Sequence, residues 1–144
     1  MQNRHCLIWL KIQGISESMS YSSRTILAVD DDPFILDVVA KFLVSKGCRV
    51  INTTDPENVV AMAIAEKPHL ILTDIAMPGI DGLSLIKDLK ENPATRNIPL
   101  VLLTSSNRMD DVKEGLASGA AAYLSKPMDW ERDWPKLQAI LWLG

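Results

Sequence analysis

Thr25-Ile26-Leu27-Ala28-Val29-Asp30-Asp31-Asp32-Pro33 is the stretch that decides the fold. After Thr25 the run is apolar without a break, as a strand buried on both faces requires. Three aspartates end it. Asp32-Pro33 then reads as an N-cap carboxylate followed by proline at the first helical position. Ile35, Leu36, Val39, Phe42 and Leu43 recur at helical spacing, and Gly47 closes that helix.

The same strand, turn and helix recur down the chain. Arg49-Val50-Ile51 is a second strand running out at Asn52-Thr53, a pair with no assigned role. Asp55-Pro56 repeats the cap-and-proline start for a helix faced by Val59, Val60, Ala63 and Ile64. Leu70-Ile71-Leu72-Thr73 is a third strand ending at Asp74, and Met77-Pro78-Gly79-Ile80-Asp81-Gly82 leads into a helix carrying Leu83, Ile86 and Leu89. Ile98-Pro99-Leu100-Val101-Leu102-Leu103 is a fourth strand ending at Thr104. Met109, Val112 and Leu116 mark the next helix, closed by Gly119. Ala122-Tyr123-Leu124 is a fifth strand, followed by Lys126-Pro127 and a last helix with Leu137, Ile140 and Leu141. Pro135 cannot sit inside that helix without breaking it, so the helix is predicted to start late, near Asp133, or to kink there. Strict alternation of apolar strands and helices predicts an α/β fold: a doubly wound parallel sheet with right-handed crossovers and helices on both faces. Ligands of such sheets sit beyond the carboxyl ends of the strands.

Composition sets the outer limits. The chain has 144 residues, the size of one domain, with 47% apolar and 23% charged residues, which is globular and not disordered. Fifteen basic against 18 acidic residues give a net charge of −3, which argues against a broad nucleic-acid-binding face. No apolar run reaches the roughly 18 residues of a membrane span. Two cysteines, Cys6 and Cys48, form no paired motif, which disfavours a disulfide framework or a structural zinc and fits the cytoplasm. Residues 1–23 read as an N-terminal extension to a domain over 24–144. Its apolar run Cys6-Leu7-Ile8-Trp9-Leu10 is cut short by Lys11, too short for a signal peptide. Met19 is either the true start or part of a loosely ordered arm.

Chemistry gathers at the strand ends: Asp30, Asp31 and Asp32 after the first strand, Asp74 after the third, Thr104 with Ser105 after the fourth, Lys126 after the fifth. Close carboxylates repel one another unless a cation joins them, and oxygen-only ligands favour Mg²⁺, which bridges readily to phosphate. A lysine and a hydroxyl suit the remaining phosphate oxygens. A carboxylate can itself accept a phosphoryl group as an acyl phosphate. Taken singly, Asp32 is a helix cap, Asp30 and Asp31 an acidic loop, Asp74 a turn cap, Thr104 a strand-end hydroxyl and Lys126 a surface lysine. Their conjunction at successive strand ends points to metal-assisted phosphoryl transfer.

Four segments carry a resemblance: Ile26-Leu27-Ala28-Val29-Asp30-Asp31-Asp32-Pro33, the run from Leu72 to Gly82, the run from Ile98 to Ser105, and the run from Gly119 to Pro127. In this order they resemble a response-regulator receiver domain of two-component signalling, of the single-domain chemotaxis-regulator kind. The resemblance implies a flavodoxin-like (βα)5 fold with strand order 2-1-3-4-5. It implies Asp74 as phosphoacceptor from a sensor histidine kinase or phosphotransfer protein. It implies Mg²⁺ held by Asp30, Asp31, Asp74 and the Ala76 carbonyl, and Lys126 paired with the phosphate. Thr104 and Tyr123 would be the switch, Lys126–Pro127 a cis peptide, Met77-Pro78-Gly79 the turn exposing Asp74, and Gly82 the opening of the third helix. The short side chains of Ala76 and Ser106, two beyond the acceptor and two beyond the switch hydroxyl, imply slow self-dephosphorylation.

A second reading takes Asp30-Asp31-Asp32 as the DxD pair of a haloacid-dehalogenase-like phosphatase, with Asp30 as nucleophile. Pro33, which makes Asp32 a cap, and the lack of room for a substrate-binding cap domain count against it. The receiver reading makes the chain a signalling module and not an enzyme in the ordinary sense. No effector module follows, so its output is expected through protein binding on the helix 4–strand 5–helix 5 face, with a target or a second copy of the chain as a homodimer. Neither nucleic acid nor membrane is expected as a partner. Trp130, Trp134, Leu137 and Leu141 share one helical stripe and read as core, whereas Trp142 lies off it and reads as a contact residue.

Overall fold

The computed structural model describes residues 24–77, 80–105 and 109–143. Five parallel strands form one sheet: β1 (Thr25–Val29), β2 (Arg49–Thr53), β3 (Leu70–Asp74), β4 (Leu100–Thr104) and β5 (Ala122–Ser125), in the order β2-β1-β3-β4-β5. Five helices connect and flank them: α1 (Pro33–Ser45), α2 (Val59–Glu66), α3 (Gly82–Glu91), α4 (Met109–Ala117) and α5 (Trp130–Leu143). This is the doubly wound architecture expected from the alternation, in the flavodoxin-like (βα)5 strand order that the resemblance implies.

Each central strand is buried on both faces, so its residues divide between two cores at a period of two. Ile26, Ala28, Leu70, Leu72, Val101 and Leu103 meet Leu36, Val39 and Leu43 of α1 and Leu137 and Leu141 of α5. Leu27, Val29, Ile71, Leu100 and Leu102 meet α2 through Val59 and Ala63, and α3 through Leu85, Ile86 and Leu89. Cys48 belongs to the first core, and burial pushes its thiol up to about 11. At the base of the sheet the Thr25 N–H donates to His69 Nδ1 at 3.0 Å, while the His69 N–H donates to the Thr25 carbonyl at 2.8 Å.

Helix starts follow the side chains that cap them. Asp32 accepts from the Phe34 N–H with Pro33 at the first position, as the sequence predicts. Asp55-Pro56 makes the same cap but opens a 3₁₀ turn, Pro56–Asn58, from which α2 continues. Gly47 and Gly119 take φ of 92° and 120° beyond the ends of α1 and α4.

Three expectations are corrected and a fourth is refined. α5 begins at Trp130, not near Asp133, and includes Pro135, where the kink stays an expectation. Asp129 and Asp133 outweigh the proline: Asp129 Oδ1 accepts from the N–H groups of Glu131 and Arg132, and Asp133 Oδ2 accepts from the Asp129 N–H at 3.0 Å. This reciprocal cap satisfies the donors at the start of the helix. Trp142 is off its helix's stripe yet joins the core, half-buried, while a partner contact there stays an expectation. It packs on the first core, edge-on to Trp134 with centroids 6.0 Å apart, with the Arg24 guanidinium 5.8 Å from its ring. Ile64 does not complete the face of α2, being 42% exposed. Met109 and Leu116 likewise stand outward on α4, whose buried residues are Val112 and Gly115. Trp130 and Trp134 do pack inward, against Phe42 of α1, the first as a parallel stack with centroids 4.1 Å apart. The expectations for residues 1–23, for the turn at Pro78-Gly79 and for Ser106 lie outside the described residues.

Candidate functional site

The carboxyl ends of β1, β3, β4 and β5 converge on one side of the sheet. Asp30 follows β1 and is fully buried. Its Oδ1 accepts from the Asp32 N–H at 2.9 Å, so the cap that starts α1 also orients this carboxylate. Asp74 ends β3 and is 6% exposed. Its Oδ1 accepts from the Ala76 N–H at 3.0 Å and its Oδ2 from Lys126 Nζ at 3.0 Å. Lys126 Nζ also lies 2.6 Å from Asp30 Oδ2. One ammonium thus spans the ends of β1 and β3 from the loop after β5.

Burial by itself would lower the Lys126 pKa. The ion pair with Asp30 and the hydrogen bond and charge of Asp74 outweigh it and hold the group above its ordinary value of 10.5. The ammonium is therefore a fixed positive charge throughout the physiological range. Lys126–Pro127 is a cis peptide.

Asp30, Asp31 and Asp74 each offer an oxygen within 4.8 Å of the others. Asp30 Oδ2 is buried, and the Lys126 ion pair does not give it an aligned hydrogen bond. A buried oxygen without an aligned partner, in a residue clustered with two further carboxylates, suits a cation, since such an oxygen is otherwise costly. Three carboxylates and one ammonium leave two negative charges among oxygen donors. The set fits a hard divalent cation.

Thr104 ends β4, is 1% exposed and donates its hydroxyl to the Ser105 carbonyl at 3.1 Å. Tyr123 lies on the edge strand β5 opposite Leu102 and is half-buried. The loop after Asp74 folds as a two-residue antiparallel ribbon, Ala76–Met77 with Ile80–Asp81, which the sequence reading did not foresee. α3 opens at Gly82, where a Cβ would collide with the Ile75 backbone, so the chain passes tightly beneath the ribbon. The sequence reading also missed Asp133, a fully buried acid. Its signal was Asp129 followed four residues later by a second aspartate at a helix start.

A doubly wound sheet with an acidic pocket and one lysine at its strand ends defines a class of phosphoryl-accepting signalling domain. The family described as the response regulator receiver domain matches residues 26–133, and the chain belongs to it. A receiver domain is the phosphoryl-accepting module of two-component signalling. The chain is 34% identical over 116 residues to the protein PilH of Pseudomonas aeruginosa, covering 81% of this chain and 96% of that one. It is 38% identical over 107 residues to the response regulator PleD of Caulobacter vibrioides, covering 74% of this chain. The chain spans 24% of the length of PleD and 48% of the master regulator RpaA of Synechocystis, so those proteins resemble it over part of their length. Among solved structures, the chemotaxis response regulator CheY4 of Vibrio cholerae superposes with a TM-score of 0.76 at 28% identity, covering 83% of this chain and 100% of that one. The phosphatase alternative finds no support: Asp32 is spent on the α1 cap, and Asp30 is buried against Lys126. Among the described residues no helix is long and apolar enough to cross a membrane.

Proposed function

We propose that Asp74 is the phosphoacceptor and that the pocket around it catalyses its own phosphorylation and dephosphorylation. The observation that carries the reading is the Lys126 bridge to Asp30 and Asp74, beside three carboxylates that share one space. An Asp74 oxygen attacks the phosphorus of a phosphohistidine; the P–N bond breaks, and the imidazole leaves with the electron pair and takes up a proton. The product is an acyl phosphate on Asp74. Asp30, Asp31, Asp74 and the Ala76 carbonyl would hold Mg²⁺, which when bound neutralises charge on the transferring group. The Ala76 N–H fixes Asp74 Oδ1, so the side chain meets its donor in one rotamer. Lys126 is already ionised and placed to pair with the phosphoryl oxygens.

Thr104 is the switch hydroxyl. Its present acceptor is the Ser105 carbonyl, and a phosphoryl oxygen competes for the same proton. Tyr123 moves inward as Thr104 moves toward the phosphate, changing the α4–β5–α5 face that a downstream protein or a second copy reads. We place this activity in the cytoplasm, without direct nucleic-acid binding.

Acetyl phosphate with Mg²⁺ tests the assignment. Asp74→Asn is expected to abolish phosphate incorporation, and chelation of Mg²⁺ to abolish it in the native chain. Incorporation that survives Asp74→Asn but disappears in Asp30→Asn would restore the phosphatase reading.

A further inference from the structure

β5 is an edge strand, and Tyr123 on it packs partly against the core shared with α2 and α3, with α5 within reach around the sheet edge. One cation of α5 addresses it. Lys136 Nζ is 5.8 Å from the ring centroid, within the roughly 6 Å at which an ammonium is attracted to an aromatic face. One turn earlier on the same helix lies Arg132. Arg132 is itself anchored, with Nε and Nη2 at 2.8 and 3.0 Å from the carboxylate of the fully buried Asp133. Because Asp133 also accepts from the Asp129 N–H, the first turn of α5 is fixed at both side chain and backbone. Lys136 therefore approaches the ring from a helix that is held in place.

We propose that Lys136 is a positioning residue that latches Tyr123 in its resting place and so sets how readily the switch is thrown. This rests on the reading of Tyr123 as the switch aromatic. The ammonium attracts the ring only while the ring lies at the β5–α5 edge. Once the ring turns inward, the ammonium is left to water. A contact made in one of two states biases the equilibrium by its whole strength. For a solvent-accessible cation–π pair that amounts to about two- to five-fold in population.

Tyr21 and Tyr123 are the two tyrosines of the chain. In a Tyr21→Phe background, fluorotyrosine labelling therefore gives one fluorine NMR signal, from Tyr123. Lys136→Met keeps the aliphatic stem and removes the charge. With Mg²⁺ alone, its signal is expected to shift toward the position reached with Mg²⁺ and beryllofluoride. Phosphorylation by acetyl phosphate is expected to quicken about two- to five-fold. Lys136→Arg should restore both. If Lys136→Met leaves the Mg²⁺-only signal in place while beryllofluoride still moves it, the latch is overturned and the Tyr123 switch stands. If beryllofluoride moves the signal in neither protein, Tyr123 is not a switch and the latch falls with it.

Discussion

His69 Nδ1 accepts the Thr25 N–H, and an imidazole nitrogen that accepts a hydrogen bond carries no proton. Burial, and then the positive charge of Arg24, lower the His69 pKa from its ordinary 6.5. The sign follows. A base whose folded pKa is depressed binds fewer protons folded than unfolded over that window. Its stabilisation is complete above 6.5 and is lost as pH falls through the lower folded value. Urea unfolding should therefore give a lower midpoint at pH 5.5 than at pH 7.5. His69→Asn, whose Oδ1 can take the Thr25 N–H without titrating, should flatten that slope. An unchanged slope in His69→Asn would assign the acid sensitivity to other groups.

At the scale of elements, α5 tests how capping competes with an interior proline. Pro135 has no N–H to offer the Glu131 carbonyl, yet the helix runs from Trp130 to Leu143. Pro135→Ala should raise stability by about 1–2 kcal/mol in chemical denaturation. A loss would mean that the proline ring supplies packing. Gly82→Ala should cost about 1–3 kcal/mol, because the new Cβ meets the Ile75 backbone and not a yielding side chain. The strands and the acids at their ends were legible because buried parallel strands write themselves as unbroken apolar runs and the site begins where each run stops. What stayed illegible depended on partners distant in sequence. Trp142 is off the stripe of its own helix, yet the Phe42–Trp134 seam and Arg24 extend the apolar zone to meet it. On α4 the apolar pattern pointed to Met109 and Leu116. The helix instead presents Gly115, where a Cβ would lie 2.5 Å from Leu102 Cδ1 and hold it off the sheet.

For the whole molecule, signal duration is expected to follow from the short side chain of Ala76. Ala76 sits next to Asp74 in the ribbon with a side chain too short to place a polar group over an acyl phosphate. After removal of acetyl phosphate, the phosphorylated protein should decay over many minutes without a phosphatase. A lifetime of seconds would show that another group activates water. The two faces of the sheet also differ. The stack of Phe42 on Trp130 ties α1 to α5 on one side, whereas α4 keeps Met109 and Leu116 outward on the other. Rearrangement is therefore expected to concentrate toward α4 and β5, with α1 as the stationary reference.

The pocket draws on the ends of β1, β3 and β5, and its lysine lies 52 residues beyond the Asp74 that it touches. A chain still emerging from the ribosome, with Lys126 not yet synthesised, holds every acid of the pocket and nothing to gather them. If Asp74 accepts phosphate as proposed, a nascent chain gains that capacity only after Lys126 has been added and has closed on Asp30 and Asp74.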